Sequence, residues 1–141
     1  MRISFFETNN GTDIRAVQGG VYMVELKSIK TEKKICLYIG ESAWIASRCG
    51  VHLFSLYTDP NYFGLTHDDL WNEDFILIFS IIEAIDEKKS VLGNGKYKER
   101  ELEAIKNHGP LTQLDTSDRQ IRDVETKRSR VQKALKKYGF K

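Results

Sequence analysis

Tyr22, Tyr38, Arg48, His52 and Glu101 stand where a half-buried strand or helix would not need them. Each is of a type that can carry chemistry. A guanidinium is planar and suits phosphate oxygens. An imidazole titrates near neutral pH and can move a proton. A phenol becomes a base when a nearby cation lowers its pKa, and a carboxylate can bind a hard cation. Each residue also has a plain structural reading. Strand tyrosines are commonly packing residues, an Arg/His pair four apart is commonly a solvated helix face, and Glu99, Glu101 and Glu103 resemble an exposed charge run.

The elements that must carry these groups can be read from local pattern. Residues 2–7 form a short possible strand. Residues 19–27 and 35–40 are rich in strand formers and are separated by a charged turn, which predicts an antiparallel hairpin. It places Tyr22 and Tyr38 on paired strands and ends at Gly40, where the chain can bend. Ser42 then reads as the N-cap of a helix to about residue 57, with Ile45, Cys49, Leu53 and Leu56 at helical spacing. Arg48 and His52 share one face of it. Thr66 with Asp69 could cap a single turn. Residues 74–85 read as a central strand, and residues 86–94 as a polar connection. A helix over 96–107 carries Glu101 and ends at His108-Gly109-Pro110. A last helix spans 117–138, started by Asp115-Thr116-Ser117. The expected class is α+β, a central antiparallel sheet of about three strands flanked by helices.

The chain has 141 residues, one domain's worth. With 40% hydrophobic and 30% charged residues it can bury a core. No apolar run approaches the ~20 residues of a membrane helix, and the first residues lack a signal-peptide core, so the expectation is a cytoplasmic protein without a membrane partner. Two cysteines, Cys36 and Cys49, are too few for a disulfide framework or a cysteine zinc site, and fit as free thiols. Residues 116–141 hold 9 basic and 3 acidic side chains, against a slightly acidic remainder. A basic extension commonly meets a polyanion; its plain reading is a solvated helix face.

Taken together, the polar residues resemble a known family. Gly20-Val21-Tyr22 followed by Tyr38-Ile39-Gly40 is similar to the two triplets of the GIY-YIG nuclease superfamily. The resemblance continues through Arg48 ten residues after the second tyrosine, His52 one turn later, the strand 75–83, and the helix in which Glu101 precedes Ile105 by four. It covers about residues 19–113, so residues 1–113 are read as the nuclease domain and 114–141 as a basic helical extension. Val21 stands for the usual Ile, and the interval between the tyrosines implies an extended loop around 28–34. Gln113 stands where the family usually has Asn, keeping the amide on a longer arm. Asn107 is closer in sequence but precedes Pro110.

The resemblance implies a metal-dependent endonuclease, acting on DNA and leaving 5′-phosphate and 3′-hydroxyl ends. Glu101 would be the single protein ligand of Mg²⁺ or Mn²⁺, since Mg²⁺ keeps several waters. Arg48 would hold the non-bridging oxygens. Tyr22 or His52 would be the base, Tyr38 would orient the water or a phosphate oxygen, and Gly40 would let the backbone turn beside the substrate. Gln113 would join the substrate site. The alternative is a catalytically weak nucleic-acid-binding module that keeps the fold.

The last helix adds a stripe of Ile121, Val124, Val131, Leu135 and Tyr138, interrupted by Arg128. It either docks on its own domain or forms a homodimer seam. The second case leaves Lys127, Arg130, Lys133, Lys136 and Lys137 to face DNA phosphates.

Overall fold

In the computed structural model, residues 1–85, 95–114 and 117–141 are described, with the side chains of residues 95 and 96 left aside. The expected polar connection over 86–94 and the start signal at 115–116 lie outside them. Six strands and four α-helices follow in chain order: β1 (Arg2–Phe5), β2 (Glu7–Thr8), β3 (Gly11–Thr12), β4 (Gly19–Ser28), β5 (Lys34–Ser42), α1 (Ile45–Thr58), α2 (His67–Leu70), β6 (Phe75–Ile85), α3 (Gly95–His108) and α4 (Val124–Lys137). Short 3₁₀ turns cover Ile14–Val17 and Pro60–Phe63. No helix among the described residues is long and apolar enough to cross a membrane.

The main sheet has the order β1-β6-β4-β5. β4 pairs antiparallel with both β5 and β6, as the hairpin pattern and the apolar 74–85 segment required. The expected three-stranded antiparallel sheet is corrected to a mixed one of four. β1 lies parallel to β6, with Arg2 opposite Ile76 and Phe5 opposite Phe79. A four-residue strand whose partner lies some seventy residues away gives no local pairing signal.

The two faces of the sheet are covered separately. On one, Tyr22, Val24, Leu26, Leu37 and Tyr38 pack with Ile45, Cys49 and Leu56 of α1 and with Val131 and Leu135 of α4. On the other, Val21 and Ile39 pack with Ala104 and Ile105 of α3. Leu37 and Tyr38 are neighbours in sequence yet join the same cluster. The β4–β5 register shifts here, from Val24 opposite Tyr38 to Glu25 opposite Cys36. This bulge leaves Leu37 as the extra residue and aims Tyr38 toward α1.

α4 begins at Val124 rather than at residue 117. Asp123 caps it, accepting from the Thr126 backbone N–H at 2.8 Å. The residues before it pair with the segment after α3 instead: Gln120 bridges to Gln113, and Ile121 N–H donates to Thr112 O at 2.7 Å. The apolar stripe divides: Val131 and Leu135 have no exposed surface, while Val124 and Tyr138 stay exposed. Lys127 and Arg130, expected outside with the other cations, turn inward. Lys127 is buried, and Arg130 Nε donates to Leu111 O at 2.9 Å. α4 is therefore a packed layer of the same core, not an appended arm.

Candidate functional site

Tyr22 comes from the centre of β4, Tyr38 from the bulge of β5, and Arg48 and His52 from successive turns of α1. The structure brings these four together. Tyr22 Oη and His52 Nε2 are 2.6 Å apart. The rings of Tyr38 and His52 meet edge to face at 4.9 Å. The Arg48 guanidinium is close enough to both phenols for its charge to act on Tyr22 and Tyr38. Arg48 is exposed, while Tyr22 and His52 are shut off from solvent and Tyr38 nearly so.

The glycines of both triplets are dictated by contact. A Cβ on Gly40 would lie 2.3 Å from Tyr22 Oη and 2.8 Å from Tyr38 Cε1, so this position leaves room for two phenol rings. That corrects the expected bend, since β5 runs on to Ser42. Gly20 has φ +150°, and a Cβ there would lie 2.1 Å from Glu83 O. The first turn of α1 is also not as expected. Ser42 does not cap the helix; the N-cap is Trp44, and Ser42 Oγ accepts from Trp44 N–H at 3.0 Å just before it.

Burial sets the protonation of the cluster. It raises the Tyr22 phenol well above its usual range, with Tyr38 and Cys49 adding and Arg48 opposing. Burial likewise pushes Tyr38 up to about 12, with the Glu101 charge second. His52 is pushed down to about 4, first by burial and then by Arg48, so at neutral pH its ring is uncharged.

Glu101 stands on the helix that covers the opposite face of the sheet from Tyr22, and it meets the cluster only through its charge on Tyr38. Its helix α3 packs on Val21 and Ile39, and its carboxyl lies in the field of Tyr38, Glu41 and Asp118. It is buried, its Oε1 has no hydrogen-bond partner among the described residues, and its pKa is raised to about 7 by burial first, then by Asp118 and Glu41 against Lys98. A buried carboxyl oxygen without a donor, in the field of two more distant acids, is a chemistry that a hard divalent cation would satisfy. Among the described residues no three metal-ligating side chains cluster, so such an ion would take Glu101 as its protein ligand and water or substrate oxygens for the rest.

Gln113 has a different place from the one expected. It is fully buried. Its Oε1 accepts from Ile39 N–H at 2.9 Å, and its Nε2 donates to Ile39 O at 2.7 Å and to Asp118 O at 2.9 Å. Both amide donors are used on backbone, so none is left for a phosphate. With Leu111 N–H donating to Cys36 O and Thr112 N–H to Leu37 O, residues 111–113 close the outer edge of β5 beside Tyr38. Lys133, Lys136 and Lys137 are exposed on the face of α4 opposite Val131 and Leu135.

Three neighbours of the site were not singled out in the sequence. Glu41 follows the second triplet directly, Asp118 is held through its carbonyl by Gln113, and Tyr62 sits 2.7 Å from His52 Nδ1. Tyr62 lies in a 3₁₀ turn and has no periodic signal; only its spacing of ten from His52 was visible. No family model, curated protein or solved structure matches the chain.

Proposed function

We propose that the chain is a GIY-YIG-type endonuclease that hydrolyses DNA phosphodiester bonds with a divalent metal ion, leaving 5′-phosphate and 3′-hydroxyl ends. The observation that carries this reading is the convergence of Tyr22, Tyr38, Arg48 and His52 in one cluster, with the buried carboxyl of Glu101 acting on Tyr38 through its charge.

In this reading Arg48, the exposed member, binds the non-bridging oxygens of the scissile phosphate. Drawing the guanidinium toward phosphate turns its charge away from the Tyr22 hydroxyl, on which it otherwise acts. The attacking water gives its proton to Tyr22 Oη as the Tyr22 proton passes to His52 Nε2, across 2.6 Å. A bound phosphate also offsets the Arg48 charge that depresses His52, so the imidazole gains basicity when substrate is present. Tyr38 orients the water or a phosphate oxygen from the rim. A divalent ion on Glu101 would supply Lewis acidity for the developing charge. Bond cleavage on the 3′ side of the phosphorus then leaves the phosphate on the 5′ carbon.

The absence of exposed surface on Tyr22 and His52 favours a second reading, in which the cluster is a packed core and the protein a nucleic-acid-binding module without strong catalysis. Purified protein incubated with supercoiled, linear, single-stranded and branched DNA, with Mg²⁺, Mn²⁺ or chelator, separates the two. The nuclease reading expects metal-dependent cleavage of at least one substrate. It also expects Glu101→Gln to abolish cleavage while DNA binding persists. Binding without cleavage by the unmodified protein supports the module, and full cleavage by Glu101→Gln removes that residue from the site.

A further inference from the structure

His52 is held at both ring nitrogens. Nε2 lies 2.6 Å from Tyr22 Oη and Nδ1 lies 2.7 Å from Tyr62 Oη. A neutral imidazole carries one ring proton, so one phenol must donate to it and the other must accept from it. The two arrangements are not equivalent, because the two ends differ in access to water.

Tyr22 has no exposed surface, so its hydroxyl proton cannot turn to water. Were Nε2 protonated, Tyr22 would accept from the ring and that buried proton would lose the 2.6 Å partner the ring otherwise provides. With the proton on Nδ1 instead, Tyr22 donates to Nε2, and Nδ1–H donates to Tyr62. Tyr62 is half-buried, so its own hydroxyl proton can turn to solvent. The ring proton and the Tyr22 proton then each have an acceptor. Lys127 of α4 lies 5.6 Å over the Tyr62 ring, and Tyr62 packs edge to face on Phe63 at 4.9 Å. The phenol is thereby fixed from two sides.

We propose that Tyr62 is a positioning residue that holds His52 in its Nδ1–H form, leaving Nε2 bare to receive the Tyr22 proton. This rests on the nuclease reading for its catalytic consequence but not for its geometry. A histidine with the wrong nitrogen protonated cannot accept from Tyr22, whatever else remains in place. Tyr62 touches neither substrate nor metal in this scheme and acts only through the ring it orients.

Nitrogen-15 NMR of the histidine rings reads the tautomer without any reference to cleavage. The chain has three histidines, so His52 is assignable by comparison with His52→Gln. In the unmodified protein at neutral pH, the expected result is a protonated Nδ1, a bare Nε2, and cross-peaks from the Nδ1 proton to the Tyr62 ring. A protonated Nε2, or no Nδ1 proton near Tyr62, overturns the proposal on the unmodified protein alone. Tyr62→Phe should shift His52 to the other tautomer or to a mixture; an unchanged single Nδ1–H form overturns the positioning role. If the protein cleaves DNA, Tyr62→Phe should also lower the rate by about tenfold or more at saturating substrate, within the range of lost proton-transfer assistance. If the protein cleaves no DNA, the nuclease reading fails while the tautomer result stands or falls by itself.

Discussion

A histidine closed off from water and flanked by Tyr22, Tyr38, Tyr62, Phe63 and the Arg48 guanidinium resists taking up a proton. The unfolded chain imposes no such resistance. With the folded value near 4 against about 6.5 for a free imidazole, the unfolded state binds more protons throughout that window. Stability therefore rises with pH between the two values, is complete above about 6.5, and is lost as pH falls toward 4. Across the full window the amount is on the order of 3 kcal/mol. Urea unfolding at pH 4.5 and pH 7.5 measures it: the native protein should lose on the order of 2 kcal/mol more than His52→Gln does over the same change. Equal losses would mean that His52 titrates as in water. The residue types of this site were legible in the sequence, because Arg48 and His52 sit one turn apart and the two tyrosines lie on a recognisable hairpin. Their burial was not, since nothing local to Tyr22 foretells that α1 closes over it.

At the scale of elements, the edge of β5 is where sequence and structure part. A glutamine after a Pro-containing turn offers an amide, and a site amide and a structural amide look the same in one dimension. In the fold, Gln113 replaces a missing fifth strand, meeting both backbone groups of Ile39 as a neighbouring strand would. Gln113→Ala leaves the buried N–H and C=O of Ile39 without partners and should destabilise by about 2 kcal/mol or more, measurable as a shift in the denaturant midpoint. Arg130 braces the same segment through Leu111 O, so Arg130→Ala should weaken it in the same direction. A midpoint unmoved by Gln113→Ala would mean that water satisfies Ile39 equally well. The bulge at Leu37 belongs to the same class of hidden feature: it depends on the pairing with β4, and only that pairing turns Tyr38 toward His52.

Over the whole molecule, α4 has two faces with separate tasks. Its inner face is core: Val131 and Leu135 are fully buried, and beyond the helix Phe140 meets Phe75 at 5.8 Å between ring centroids. Lys141 Nζ closes the arrangement 2.7 Å from buried Asp69, which also accepts from Gln132 Nε2 at 2.9 Å. The heptad-like spacing was plain in the sequence, but spacing alone does not distinguish a seam between copies from a seam within one chain. Leu135→Ala should cost about 2–5 kcal/mol, a loss of unfolding free energy independent of protein concentration, as befits packing within a single chain.

The outer face carries the remaining question of charge. Lys133, Lys136 and Lys137 are exposed and lie at helical spacings of three and four, so they present one cationic strip to solvent. Lysines that neutralise DNA phosphates release counterions, and the logarithm of affinity then falls linearly with the logarithm of salt, by about 0.9 per contact on duplex DNA. Replacing all three with glutamine should weaken binding to every DNA sequence alike, because phosphate contacts carry no sequence information. It should also flatten the salt slope by up to about 3 units. The substitutions leave Val131, Leu135, Lys127 and Arg130 untouched, so the unfolding midpoint should stay where it is, and cleavage at saturating protein should change little. A slope equal to that of the unmodified protein would assign these lysines to hydration alone, and the proposed contact with DNA would then fall to the face that displays Arg48.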